Sequence, residues 1–331
     1  MAHFAFRDRR ALTILLVTSG LAPLSIILSL ASGSVAIPWH ELLAALLHRD
    51  PQSLTDQLVW QLRLPRTLTG FSVGGLLALA GALLQVLLRN PLADPYVLGT
   101  AGGAATCALT AILLGATGVF VDASAFLGAL AATLLVLKLS ATSLTFNTTR
   151  LLLTGVILSA GWSALISFIL VISPQNDVSQ MLFWLLGDLS RASHSGTGWL
   201  VLLVALLWAM LLAPSLNILA RGELVAESLG VNLRWLQIQI LCLASLLCGI
   251  AVSIAGTVGF VGLITPHLLR LAGVSDQRWL LPTSALLGGT LVVVSDILAR
   301  TLIAPQQLPL GVITAWLGIP VFLFLLRRRL Y

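Results

Sequence analysis

Long apolar runs fill this chain and are interrupted by short polar marks rich in arginine, proline and glycine. A helix of about 20 apolar residues crosses the hydrocarbon core of a bilayer. Such runs predict spans near 11–31, 64–88, 98–117, 121–142, 151–172, 197–216, 235–255, 257–269, 281–303 and 309–327. The expected fold is an all-α polytopic membrane bundle with about ten crossings. The sharpest punctuation is Arg63-Leu64-Pro65-Arg66 and, beyond the apolar stretch 67–88, Arg89-Asn90-Pro91-Leu92-Ala93-Asp94-Pro95. The stretch between them is one bilayer long, so the two motifs are expected at opposite faces. The interval 235–270 is short for two full spans and contains Gly256, Gly259, Gly262 and Pro266. That predicts a broken helix sheltered by its neighbours, because open backbone is not tolerated against lipid. Gly70, Gly74, Gly75, Ala78, Gly81 and Ala82 give the second span a small-residue face suited to close helix packing.

Composition turns this pattern into a class. With 58% hydrophobic and 9% charged residues and a mean hydropathy of +1.02, the chain lacks the polar surface of a soluble fold. Residues 1–331 are therefore read as one transmembrane domain. The first run follows Arg7, Arg9 and Arg10 as a signal peptide would, but Ala31-Ser32-Gly33 is a poor cleavage site, and the run is read as the first span. With ten spans, thirteen basic residues, including Arg89, Arg150, Arg221, Arg234, Arg270 and Arg327 to Arg329, fall on the side of the termini, and only Arg49, Arg63, Arg66, Arg191 and Arg300 fall opposite. This bias predicts both termini in the cytoplasm and makes the net charge of +6 a topology signal, with no nucleic acid as partner. Cys107, Cys242 and Cys248 lack metal-ligand spacing and read as small buried hydrophobes, so no metal site is expected.

The chain has no Gly-x-x-x-x-Gly-Lys-Ser/Thr phosphate loop, so it is not expected to hydrolyse ATP, and no catalytic constellation is apparent. His267, beside Pro266, reads as a helix-end residue. Asp296 lies deep in a predicted span, which by default suggests function, yet Arg300 stands four residues on and can neutralise it. A proton-coupled secondary transporter would want an unpaired carboxylate there, and a channel would want repeated polar rings; neither is apparent. The longest polar interval on the termini's side, 215–234, contains a short amphipathic helix with Glu223, Leu224, Val225, Glu227 and Leu229, ended by Gly230 as a left-handed cap. Within 173–193, Pro174 breaks the fifth span and 180–190 resumes as a second amphipathic helix, where Phe183 and Trp184 read as packing or interfacial anchors.

Arg63-Leu-Pro-Arg66, Gln85 with Arg89-Asn-Pro-Leu-Ala-Asp-Pro95 and Leu98-Gly99, Phe183-Trp184 with Gly187, Leu229-Gly230, Gly259-Phe-Val-Gly-Leu263 with Pro266-His267 and Arg270, Asp296 with Ala299-Arg300, and Leu308-Pro-Leu-Gly311 with Gly318 and Pro320 occur in this order from about residue 30 onward. Together they resemble the permease subunits of ABC importers for iron–siderophores, haem and vitamin B12. The resemblance implies a ten-helix permease of a bacterial inner membrane, acting as a homodimer or beside a similar permease. Two cytoplasmic ATPase subunits would bind ATP and Mg, a periplasmic binding protein would deliver substrate, and this chain would carry no cofactor. It also implies that Glu223, Leu224, Ala226, Glu227, Leu229 and Gly230 couple to the ATPase, and that Phe183, Trp184 and Gly187 belong to an outer gate. Asn90, Pro91, Asp94, Pro95, Pro266, His267 and Asp296 would be structural motif residues. Arg63, Arg66 and Arg300 would meet carboxylates on the binding protein; interfacial snorkelling and an internal Asp296–Arg300 pair are the competing readings. The size of the siderophore branch points to an iron–siderophore, with vitamin B12 or haem as alternatives. Two departures stand out: Gln307 where relatives often have an acid, and Thr257 where a proline is common.

Overall fold

The computed structural model describes residues 2–33, 35, 37–50, 52–140, 148–190 and 195–329, and no strand occurs among them. Arg191, residues 191–193 of the gate interval and residues 141–142 of the fourth predicted span lie outside the described residues. The elements are α1 (Ala2–Ala31), α2 (Trp39–Leu47), α3 (Leu54–Gln57), a π-helical turn (Leu58–Arg63) running directly into α4 (Leu64–Leu87), a 3₁₀ turn (Pro95–Leu98), α5 (Thr100–Leu113), α6 (Val119–Ser140), α7 (Thr148–Ile172), α8 (Gln175–Leu185), α9 (Ser195–Leu219), α10 (Glu223–Ser228), α11 (Leu233–Ala255), α12 (Val261–Leu271), α13 (Gln277–Thr301) and α14 (Leu310–Arg329). Among the described residues, seven helices are long and apolar enough to cross a membrane, and α5, α12 and α14 are shorter apolar helices. These correspond one for one to the ten expected crossings. The interval 31–64 also folds, into α2 and α3, which the apolar pattern did not mark.

The bundle is built around α4. From Thr67 to Leu87 nearly every residue of this helix is buried, and α9, α11, α12 and α13 pack on it. Its glycines make that possible: a side chain at Gly74 would overlap the backbone of Gly288 on α13, and one at Gly81 would overlap the backbone of Gly262 on α12. Without a hydrophobic drive between helices in lipid, such backbone proximity is a main source of association. Gly103 of α5 and Gly128 of α6 meet in the same way.

The expected broken helix is present. α11 ends at Ala255, residues 256–260 bend through left-handed conformations at Gly256 (φ +65°) and Phe260 (φ +69°), and α12 begins at Val261. α12 has only 11 residues and is buried by its neighbours, as irregular backbone at membrane depth requires. His267 sits in the middle of α12 and is 3% exposed, so the helix-end position expected for it is corrected. α5 is also short because the chain after α4 folds back into the bundle: Asn90 Oδ1 accepts from Leu92 N–H, Asp94 Oδ1 accepts from Tyr96 N–H, and Gly99 (φ +71°) starts the next helix. The bundle thus has two ends, one carrying α2, α3 and α8, the other carrying α10 and the turn at Arg89.

Candidate functional site

At the α8 end, four charged side chains converge from three elements. Asp296 on α13 is 2% exposed and is held by Arg66 from the first turn of α4, Nη2 to Oδ1 at 2.8 Å, and by Arg300 one turn along α13, Nε to Oδ2 at 2.9 Å. Two cations on one buried carboxylate leave a positive excess, which carbonyls and hydroxyls at the end of α1 absorb. Arg300 Nη2 donates to Ser29 Oγ at 2.8 Å and its Nη1 to Ser32 O at 3.2 Å, while Ser29 Oγ lies 2.8 Å from Thr67 Oγ1. Arg63 Nη1 donates to Leu30 O at 2.6 Å and to Ala31 O at 3.1 Å, and its Nη2 donates to Val35 O. The last carbonyls of a helix have no intrahelical donors and carry the negative end of its dipole, so guanidinium groups cap α1 favourably.

This geometry separates the three arginines expected at the docking face. Arg63 and Arg300 are buried and their guanidinium groups are engaged inside the subunit. Arg66 retains an outward edge, where Nη1 donates to the exposed Gln307 Oε1 at 3.0 Å. The internal Asp296–Arg300 pair is present, and Arg66, 230 residues away in sequence, is a second partner that helical spacing could not reveal.

Beside this cluster lies the gate segment. Pro174 precedes α8, and Gly187 (φ +83°) turns the chain back toward the bundle after it. Trp184 is buried in the core formed by α5, α6 and α11, whereas Phe183 is exposed. Phe183 faces an open apolar hollow with Val178, Leu182, Leu186 and Pro309. Backbone bonds stitch the segment to two other elements: Asp188 N–H donates to Ala255 O at 2.9 Å, Leu310 N–H to Gly187 O at 3.0 Å and Gly311 N–H to Leu186 O at 2.8 Å. The Thr257 hydroxyl donates to Leu185 O, so this departure from the motif supplies a donor that a proline could not.

The same bend is grasped from the other side by Tyr96, which sequence reading left without a role. Its hydroxyl donates to Val258 O and accepts from Val258 N–H, both at 3.1 Å. Further along, Gln85 Nε2 donates to Leu263 O at 3.0 Å and its Oε1 accepts from Arg270. Gln85, Tyr96 and Arg270 therefore all serve to seat the broken helix against α4 and the re-entrant turn.

At the α10 end, the short helix projects Leu224, 83% exposed, and Leu229, while Ala226 is buried against the bundle. Gly222 (φ +123°) and Gly230 (φ +80°) bracket it. Glu223 pairs with Arg89 at 3.4 Å, joining α10 to the motif that follows α4. Asn217 Nδ2 donates to Asp276 Oδ1 at 2.8 Å, tying the end of α9 to the start of α13.

A ten-span bundle with a re-entrant turn, a broken helix and this motif order matches one family description: the model of the FecCD transport family covers residues 21–328. The chain belongs to the FecCD transport family. It is 39% identical to the vitamin B12 import system permease protein BtuC of Klebsiella pneumoniae subsp. pneumoniae, over 99% of this chain and 97% of that protein. It is also 39% identical to BtuC of Salmonella typhi, over 97% of each chain. A solved inward-facing conformation of a metal-chelate type ABC transporter superposes with a TM-score of 0.85 at 31% identity, covering 96% of this chain and 99% of that one. This FecCD chain is a membrane permease of the ABC importer type.

Proposed function

We propose that this permease imports vitamin B12, moving it from a periplasmic binding protein to the cytoplasm at the expense of ATP hydrolysed by two partner subunits. The observation that carries the substrate is 39% identity, over nearly the full length, to permeases named for vitamin B12 import. The iron–siderophore expectation rested on the size of that branch and gives way to this alternative.

In this reading the α10 end faces the cytoplasm with both termini, in a bacterial inner membrane. The exposed Leu224 and Leu229 with Glu223 and Glu227 seat in a groove of an ATPase that binds ATP and Mg, and this chain itself holds no cofactor. Arg66 with Gln307 offers the outward polar edge for the binding protein, while Arg63 and Arg300 hold the scaffold behind it. A charged rim of that kind steers encounter and sets register more than it adds affinity. A second permease copy completes the pathway. Movement of α10 is carried through Arg89 to the re-entrant turn, through Tyr96 to the bend at Val258, and from Thr257 and Ala255 to the gate segment after α8. Two packed arrangements of such a chain of contacts would open one face at a time. A proton-coupled secondary transporter is disfavoured because Asp296 is doubly paired.

The test is uptake of labelled cyanocobalamin and of a labelled ferric siderophore by cells lacking this chain and by cells with it restored. Cobalamin uptake that depends on the chain and on ATP, with siderophore uptake unchanged, is the expected result. Loss of siderophore uptake alone would reverse the substrate, and uptake driven by a proton gradient without ATP would remove the importer reading.

A further inference from the structure

The ends of α4, α5, α10 and α12 close with the same pair of backbone hydrogen bonds, and α4 departs from the others in its turning residue. Gly115 N–H donates to Ile112 O and Ala116 N–H to Ala111 O after α5; Gly230 N–H to Glu227 O and Val231 N–H to Ala226 O after α10; Gly273 N–H to Arg270 O and Val274 N–H to Leu269 O after α12. This paired closure puts its turning residue in the left-handed region, which favours glycine because it has no Cβ. All three turning residues are glycine, at φ +80°, +80° and +96°. α4 closes in the same way, with Arg89 N–H to Val86 O and Asn90 N–H to Gln85 O, both at 3.2 Å, but its turning residue is Arg89, at φ +46°. Among the described residues, only Phe260 otherwise holds a side chain at positive φ.

The strained backbone is matched by a use of the side chain. Arg89 Nη2 reaches Glu223 Oε1, on the first residue of α10, at 3.4 Å. α10 packs on α9 and α11, and this pair adds a tie to the end of α4. Stability does not explain the arginine: the two side chains are 45% and 32% exposed, and an ion pair so exposed contributes little. A side chain in the left-handed region costs more than such a pair returns, so glycine here would give the more stable fold. Glycine could not give the link. Arg89 opens the segment that leads to Asp94, whose carboxylate accepts from Tyr96 N–H, and to the Tyr96 hydroxyl on Val258 in the bend. One guanidinium thus joins α10 to the turn that holds the broken helix.

We propose that Arg89 is a positioning residue that makes α10 and the re-entrant turn move together, and that it holds a strained conformation in order to do so. The proposal rests on the reading of α10 as the ATPase contact and adds a division of roles to it. Folding is served better by glycine at this position and coupling by arginine, so the two properties separate on substitution. Arg89→Gly removes the strain and the link together. Arg89→Ala removes the link and keeps the strain, and Arg89→Lys keeps the strain and a cation facing Glu223.

The experiment places the full permease with its ATPase subunits and binding protein in liposomes and reads ATP hydrolysis and substrate moved per ATP, with unfolding of the permease followed in mixed micelles. The substrate is labelled cyanocobalamin, or the labelled ferric siderophore where cell uptake has reversed that assignment. Arg89→Gly should raise the folding equilibrium constant about threefold over wild type, and Arg89→Ala should lower it about twofold. Both should keep ATP hydrolysis within about twofold of wild type yet move about tenfold less substrate per ATP, a loss in the usual range of a coupling free energy. Arg89→Lys, a cation without the planar fork, should keep about half of the wild-type transport per ATP. Wild-type transport per ATP in Arg89→Gly overturns the proposal, because a residue whose loss matters only through stability is structural. An Arg89→Gly permease less stable than wild type overturns it as well. A wild-type permease that retains no ATPase overturns the function reading and this proposal with it, whereas the preceding outcomes, in a wild type that couples ATP to transport, overturn this proposal alone.

Discussion

α4 and α7 are nearly equal in apolar character, with mean hydropathy of 1.9 and 2.2 over their most apolar windows, yet that window is wholly buried in the first and only 11% buried in the second. Hydropathy reports that both lie in a bilayer; it is silent on what each one touches. The difference is written in other residues. α4 carries Gly74 and Gly81 against neighbouring backbones, Gln85 against the broken helix, and Arg66 in its first turn against Asp296. α7 presents Val156, Ile157, Phe168 and Val171 outward and has open space around Gly161. A helix at the centre of a membrane bundle is thus marked by small residues set against neighbouring backbones along its length and by polar groups at its ends; α7 has one such close approach, Gly155 against Val97.

Substitutions rank that contrast. The largest effect is expected from Asp296→Ala, which strands the buried Arg300 and the part-buried Arg66 without their counter-ion. Removing one partner of a buried pair costs about 3–5 kcal/mol, read as loss of unfolding free energy in mixed micelles. Next, Gly74→Leu forces α4 off α13, an overpacking that costs about 1–3 kcal/mol or more, whereas Gly161→Leu on α7 should change the same measurement by no more than about 0.5 kcal/mol. Equal effects at the two glycines would break the comparison. Tyr96→Phe removes both bonds to Val258 with little change in volume and should cost about 1–2 kcal/mol. It should also speed amide exchange at Val258 and Asp188, because the bend and gate segment are one hydrogen-bonded unit. The smallest effect is at the exposed end: a double-mutant cycle on Arg89 and Glu223 should return a coupling of about 0.2–1 kcal/mol that fades with added salt.

Ten crossings and one broken helix were legible because apolar run length and glycine–proline punctuation report directly on bilayer thickness and backbone continuity. The re-entrant turn was marked by its motif but not by its depth, since Asp94 and Tyr96 act through local caps and one long-range hydroxyl bond. α2 and α3 escaped notice because their amphipathic pattern is too short to stand out between two membrane runs. The arginines illustrate the harder limit. Arg63, Arg66 and Arg300 are alike in sequence, each beside an apolar run at the same end, and only the fold separates the two that cap α1 from the one with an outward edge. Partner choice across 230 residues, as for Arg66 and Asp296, has no local signature.

The most direct measurement is affinity capture of the tagged chain in mild detergent from its own cells, with identification of the proteins retained and analysis of any bound corrinoid or iron. The expected result is an ATPase subunit together with a binding protein that carries a corrinoid. Capture of the ATPase with an iron chelate would contradict vitamin B12 as substrate, and failure to retain an ATPase where a control ABC importer keeps its own would contradict the ATP-driven permease itself.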